Sequence, residues 1–256
     1  LIRSYGFYTA DNLYTKKAEN LKHLSRDMSP PWVVKLHHKA YLKPFAYGLN
    51  ARQRWRSVAL NITQPMQIES EVARLNQELQ HHYPDSEIVG YSIQSMYRAL
   101  DNMQISLGIG RDAEVGPFIF FGGGGTTADI LTDRQVAVPP LNTALARHLI
   151  ERSHASQVLR ERSEKYDKEL LILSHWLVGL SQLSSQYPSI SGLELNAIRS
   201  CSGEFLILGV AGETSAPVTS TFKAYPSELE EVVRNHNRIR FNLRPIKAED
   251  EFDLAV

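Results

Sequence analysis

The stretch GPFIFFGGGGTTADILTD, from Gly116 to Asp133, constrains this chain most, because an apolar strand runs into four consecutive glycines and then into a second strand-like run. Each glycine loses much conformational entropy on folding, so a domain keeps four together only where something offsets that cost. Two arrangements do so. One is a strand–turn–strand hairpin packed tightly beside a neighbouring backbone; the other is a hairpin whose N–H groups clamp a phosphate. Two common phosphate motifs are excluded by spacing. A dinucleotide fingerprint needs a third glycine where Thr127 stands and a helix opening there. A P-loop needs Gly-Lys-Ser/Thr at its exit, whereas this run leaves as Thr126-Thr127-Ala128-Asp129. On the glycines alone, both arrangements stay open.

Around the hairpin the pattern predicts mixed α+β structure in two lobes rather than regular βαβ units. A helix is expected over Thr15 to Leu24, stopped by Ser29-Pro30-Pro31, and a strand over Trp32 to Leu36 with Lys35 embedded in it. Lys35 is either an edge residue turned to solvent or a charge facing a phosphate. His37 to Gln53 has no clear period and reads as a loop, with His37 and His38 solvated on it rather than binding a metal. Further expectations are a strand over Trp55 to Ile62, an amphipathic helix over Glu69 to His81, and strands over Ile88 to Met96 and Met103 to Ile109. His81 and His82 end that helix and complement its negative terminus. After the hairpin come a short strand over Val136 to Asn142 and a helix capped by Asn142 or Thr143 through Ser153. A stronger helix spans Asp167 to Leu183, its stripe formed by Leu170, Leu173, Leu177 and Leu180, with His175 beside it as a structural residue. Strands over Gly192 to Ile198 and Glu204 to Val210 follow. From Gly212 the composition turns to linker, a short helix opens at Tyr225 to Glu231, and Arg240 to Leu243 resumes a strand. No internal repeat is found.

Composition excludes several classes of function. Lys+Arg and Asp+Glu both total 28, so the chain has no basic surplus of the kind a dedicated nucleic-acid binder carries. A single cysteine, Cys201, excludes an internal disulfide, fits a reducing cytoplasm, and reads as a small buried residue at a strand edge. The longest apolar run, Leu170 to Leu180, is too short to span a bilayer, so no membrane partner is expected. The start LIRSYGFYTADN has neither an initiating Met nor a signal-peptide core and reads as a piece of a longer protein.

The order of features carries a resemblance. Lys35 in a buried strand, a strand ending Gln94-Ser95-Met96, the turn Asp112 to Pro117, Phe121 with Gly122 to Gly125, Pro140-Leu141 and Glu194-Leu195-Asn196 resemble the ATP-grasp domain of NDP-forming acyl-CoA synthetases over about the first 218 residues. More specifically, VAVPPLNTALARHLI, TFKAYPSELEE and LRPIKAEDE look like bacterial protein lysine acetyltransferases in which such a region precedes a GNAT-type domain. The resemblance implies an α+β ATP-grasp domain over residues 1–218, with a lobe boundary near 95–100. Residues 219–256 would be a linker and the start of a truncated GNAT-type domain. It also implies a nucleotide cleft. Lys35, Arg52, Gln94 and Gly122, Gly123, Gly124 and Gly125 would contact ATP or another nucleotide, and Glu194, Asn196 and Asp129 would hold Mg²⁺.

Phosphoryl transfer needs cations on the moving oxygens, which explains these residue types. Acetyl-CoA and protein lysines would be partners of the missing domain, and no residue here is assigned a catalytic role. The histidine that carries the phosphoryl group in intact synthetases lies in another domain. Four departures mark the site: Ala51-Arg52 where the family has His-Lys, Gln104 for a family Glu, the shorter Asp129 for the acidic residue after the glycine loop, and Gly209 where a metal-binding Asp is expected. The loss at Gly209 predicts weak Mg²⁺ binding and impaired ligase chemistry in a regulatory or ligand-binding module. The alternatives are an active ADP-forming synthetase subunit and a module that serves only in homo-oligomer assembly.

Overall fold

Two antiparallel sheets carry most of the chain, and among the described residues each is backed by helices on one face only. The computed structural model describes residues 1–39, 57–100, 103–124, 133–200, 203–216, 230–234 and 240–246. Strands β1 (Leu13–Thr15), β2 (Trp32–His38), β3 (Val58–Ile62) and β4 (Ile88–Ser95) form a sheet in the order β1-β4-β2-β3. Alternation sends Trp32, Val34, Leu36, Tyr91 and Ile93 to one face. They meet Ile68, Val72, Leu75 and Leu79, the buried stripe of helix α2 (Pro65–His82). That helix starts where the Gln67 Oε1 accepts from the Gln64 N–H at 3.0 Å. A single turn, α1 (Leu21–Leu24), adds Leu21 to the same core.

The second sheet takes β5 (Gln104–Asp112), β6 (Gly116–Gly123), β7 (Arg134–Ala137), β8 (Ile190–Arg199) and β9 (Phe205–Thr214) in the order β7-β6-β5-β8-β9. Its apolar face, with Ile105, Leu107, Ile109, Ile119, Phe121, Leu195 and Ala197, packs on helices α3 (Thr143–Glu151), α4 (His154–Arg162) and α5 (Tyr166–Gln186). Leu170, Leu173, Leu177 and Leu180 of α5 are all fully buried there. The other face carries Ser106, Gly108, Phe120, Gly122, Glu194 and Asn196 at successive register positions. It is the polar face. The N-terminal segment joins the two sheets: Ile207 of β9 bonds to Tyr8 and Ala10, and Leu13–Thr15 then edges the first sheet against β4.

Several expectations change. Helix Thr15 to Leu24 is replaced by β1 and short turns, since few apolar positions there support a longer stripe. Strand β2 continues through His37 and His38, so the residues expected on a solvated loop stand in the sheet. His38 is 2% exposed, with Ser57 Oγ at 3.0 Å and Ser86 Oγ at 3.1 Å on its two ring nitrogens. His175 is exposed on α5. Helix α4 had no strong stripe in the sequence; only Ala155, Ser156 and Leu159 of it are buried. The strand after the hairpin begins at Arg134 rather than Val136. Glu231 opens a strand, β10 (Glu231–Arg234), paired with β11 (Arg240–Leu243) as a separate two-stranded sheet. Tyr225 to Leu229 of the expected helix, and Cys201, lie outside the described residues. Among the described residues no helix is long and apolar enough to cross a membrane.

Candidate functional site

The unbacked faces of the two sheets meet at Lys35. Register places Lys35 opposite Ser92 and Val33 opposite Gln94, on the face of β2 and β4 that points away from α2. The Lys35 ammonium donates to Gln94 Oε1 at 2.9 Å and to the Leu208 carbonyl of the other sheet. That carbonyl is available because of a bulge in β9. Asn196 pairs with Gly209, but the next residue, Ala197, pairs with Ile207, so Leu208 is left out of the ladder. Burial lowers the Lys35 pKa to about 8, which leaves the amine charged at neutral pH. His37, on the same face, has its pKa lowered to about 4 by burial, by the Lys35 charge and by His38. It is therefore neutral, and its Nε2 lies 2.8 Å from Ser92 Oγ.

Across the cleft the Asn196–Gly209 pair lies directly under the amine. A Cβ built on Gly209 would lie 3.8 Å from the Asn196 Cβ and 3.9 Å from Lys35 Nζ, in ordinary contact with both. Two residues away on β8, the Glu194 side chain is buried, with its Oε1 accepting from Ser106 Oγ at 3.0 Å. Arg134 Nη2 lies 3.5 Å from the same oxygen, and the guanidinium crosses the Phe120 ring at 4.9 Å. Lys35, Gln94, Glu194 and Asn196 are thus brought to one cleft. Arg52, Gly125 and Asp129 lie outside the described residues.

The glycines divide. Gly122 and Gly123 belong to strand β6, and a Cβ at Gly122 would overlap the Asp133 carbonyl of the returning chain. At Gly124 it would come within 2.9 Å of the Ile105 backbone, while at Gly123 the nearest atom is 3.8 Å away. Two N–H groups are already engaged: Gly123 donates to Asp133 Oδ2 at 3.3 Å and Gly124 to the Gln104 carbonyl at 2.9 Å. Asp133 also accepts from the first N–H groups of α4, at His154 (2.8 Å) and Ala155 (2.9 Å). The tight-packing explanation therefore accounts for Gly122 and Gly124.

The donors suit a phosphate better than a metal. An ammonium has three N–H donors, and Lys35 has two protein acceptors. The third can meet a phosphate oxygen. Magnesium needs well-placed carboxylates besides substrate phosphates. Glu194 is already engaged by Arg134 and Ser106, Gly209 contributes no ligand, and no group of three metal-binding side chains exists among the described residues. Of the expected magnesium ligands, Glu194 and Asn196 stand on this face, and Asp129 lies outside the described residues. Arg134, Ser106 and the Leu208 carbonyl were not identified from sequence; the basic residue directly after the hairpin was the one available signal.

Residues 1–211 match the family model described as an ATP-grasp domain. The chain is 22% identical over 199 residues to the beta subunit of acetate–CoA ligase [ADP-forming] I of Pyrococcus furiosus, spanning 77% of this chain and 81% of that subunit. It is 20% identical over 199 residues to acetate–CoA ligase [ADP-forming] I of Archaeoglobus fulgidus, where the match spans only 27% of the relative's length. Among solved structures, the dinucleotide forming acetyl-coenzyme A synthetase 1 of Ca. Korarchaeum cryptofilum, in complex with coenzyme A and Ca-AMPCP, superposes with a TM-score of 0.67 at 18% identity, covering 84% of this chain and 89% of that one. A Pyrococcus horikoshii protein gives 0.68 at 19%, covering 84% and 88%. These likenesses establish the fold. With a family match over most of its length and two sheets meeting across a cleft, the chain belongs to the ATP-grasp domain family and is related to the ADP-forming acetyl-CoA synthetases.

Proposed function

We propose that this chain is the nucleotide-binding module of an ADP-forming acyl-CoA synthetase-type protein, with Lys35 as its phosphate cation and with impaired metal-dependent phosphoryl transfer. The observation that carries this reading is the charged Lys35 amine, held between Gln94 and the Leu208 carbonyl where the two polar sheet faces meet. A nucleoside polyphosphate lying along that face would meet Lys35 first. Gln94 fixes the direction of the ammonium, and the neutral His37 beside it adds no competing charge. Bound Mg²⁺ would screen phosphate charge in a competent ligase, and the engaged Glu194 with Gly209 argues against that here. Calorimetric titration with ATP and ADP tests the reading. Saturable binding that weakens at least about tenfold in Lys35→Ala is expected for loss of a charge-assisted contact; equal binding by the variant overturns it.

Two finer settings follow from specific observations. The match over four-fifths of the Pyrococcus subunit favours an active ligase subunit. In that case Mg²⁺-dependent transfer of phosphate from ATP to a phosphohistidine-bearing domain supplied in trans would be measurable, and its absence would exclude that setting. The β10–β11 pair lies beyond the last matched residue, forms its own sheet, and leads into LRPIKAEDE. That favours a domain boundary near 218 and a GNAT-type acetyltransferase beyond it, acting on protein lysines with acetyl-CoA. Acetylation by the longer protein that responds to nucleotide, and loses the response in Lys35→Ala, would support this setting.

A further inference from the structure

We propose that the Arg134 guanidinium is a built-in cation at Glu194, taking the position of a divalent metal, so that the cleft binds a nucleoside di- or triphosphate without Mg²⁺. The proposal rests on the nucleotide reading above and specifies how that site is charged.

The path of the side chain is set by the sheet. One register line across the polar face reads Arg134, Gly122, Ser106, Asn196, Gly209; the next reads Val136, Phe120, Gly108, Glu194, Ala211. Arg134 starts three strands from Glu194, and the positions between them are small except for Phe120. Gly122 and Gly108 leave a trough, and neither can carry a side chain, because a Cβ would overlap the Asp133 and Leu193 carbonyls. Arg134 crosses this trough over the Phe120 ring, a favourable cation–π contact, and reaches the Glu194 carboxylate.

The two ends of that pair differ in exposure: the Glu194 side chain is 3% accessible and that of Arg134 is 38%. A buried carboxylate is costly without a counter-charge. A guanidinium stays charged at every working pH and offers five donors in a planar fork. Nη2 faces the Glu194 carboxylate, and with 38% of the side chain exposed the guanidinium has donors to offer a phosphate as well. Lys35 sits over Asn196 and Gly209, one same-face step along β8 from Glu194, or about 7 Å for two strand residues. The two cations are therefore anchored at neighbouring same-face positions of β8, and a diphosphate is the ligand we assign to span them. Gly209 supplies no carboxylate that would repel that ligand.

The test is equilibrium titration with ADP, in EDTA and in millimolar Mg²⁺, of the wild-type chain and of Arg134→Ala. Wild type should bind within about twofold under both conditions. Arg134→Ala should bind at least about tenfold more weakly in EDTA and recover in Mg²⁺, because the freed Glu194 carboxylate then repels phosphate unless a metal covers it. A purely structural arginine would give no such rescue. A wild-type affinity that falls about tenfold or more in EDTA overturns the proposal, as does an Arg134→Ala affinity unchanged in EDTA. If Arg134→Ala does not fold, Arg134→Gln keeps the stem and tests the same charge.

Mn²⁺ titration of the nucleotide-free protein, followed by electron paramagnetic resonance, separates this proposal from the nucleotide reading. Wild type should leave Mn²⁺ free, whereas Arg134→Ala combined with Gly209→Asp should bind it. Mn²⁺ held by wild type and lost in Glu194→Gln overturns the built-in cation even if nucleotide binds. Mn²⁺ behaviour as expected without any nucleotide binding would instead sink the nucleotide reading, and with it the phosphate role of Arg134.

Discussion

Alanine placed singly at Gly122, Gly123 and Gly124 should give three different results, although the sequence presents them as one run. At Gly122 the new Cβ overlaps the Asp133 carbonyl, a backbone atom of the residue just before β7, and no side-chain rotation can relieve it. Separating β6 from β7 there also disturbs the Asp133 carboxylate that holds the first turn of α4. Overpacking costs about 1–3 kcal/mol and a lost cap a further 0.5–2, so Gly122→Ala should destabilise by about 2–5 kcal/mol. Gly124→Ala meets the Ile105 backbone at 2.9 Å and should cost about 1–3 kcal/mol. Gly123 has 3.8 Å of clearance and sits in extended strand, so its alanine should stabilise by about 0.5–1 kcal/mol through a less flexible unfolded chain. For a chain of this length each kcal/mol moves the melting temperature by about 2–4 °C. Scanning calorimetry should therefore show Gly123→Ala slightly above wild type and Gly122→Ala on the order of 10 °C below it. If all three variants melt with wild type and lose only nucleotide affinity, the packing explanation is wrong and the run is a phosphate clamp throughout.

Other expectations follow from single contacts. Arg199 and Glu169 form a buried pair at 2.8 Å, with 8% and 2% of their side chains exposed, so Arg199→Ala should cost about 3–5 kcal/mol by urea denaturation. The double variant with Glu169→Leu should recover much of that. Because the free Lys35 pKa is about 8 and phosphate favours its charged form, nucleotide affinity should fall as pH rises through 8, with a slope of one proton. Lys35→Arg should flatten that profile, and an unchanged slope would assign it to another group. The His37 pKa, about 4 against 6.5 unfolded, means the unfolded chain binds more protons between these values. Stability should accordingly drop as pH falls from 6.5 to 4, and less so in His37→Gln.

Much of the fold was legible because apolar period and chain breakers agreed. The α5 stripe and the alternation in β5, β6 and β8 mark their buried faces directly, and the two-lobed α+β architecture follows from them. Where local signals were weak, tertiary contacts decided. Helix α4 is short and polar, and forms where Ser153 and Asp133 cap its N-terminus. His38 looks like a loop residue until Ser57 and Ser86 arrive from distant positions. The site shows the same division. Lys35, Gln94, Glu194 and Asn196 could be chosen by resemblance; Lys35 bonds to Gln94 and lies over Asn196 and Gly209, with Glu194 one same-face step further along β8. Arg134 could not, because its partner lies 60 residues away across three strands, and the Leu208 carbonyl depends on a bulge that leaves no mark in composition.

Crystallisation with ADP in the absence of divalent metal tests the central claim most directly. Phosphate oxygens should lie within hydrogen-bonding distance of Lys35 Nζ on the polar face of the five-stranded sheet, alongside Asn196 and Gly209. Nucleotide bound elsewhere, or a cleft that stays free of it at saturating ADP, would contradict the account.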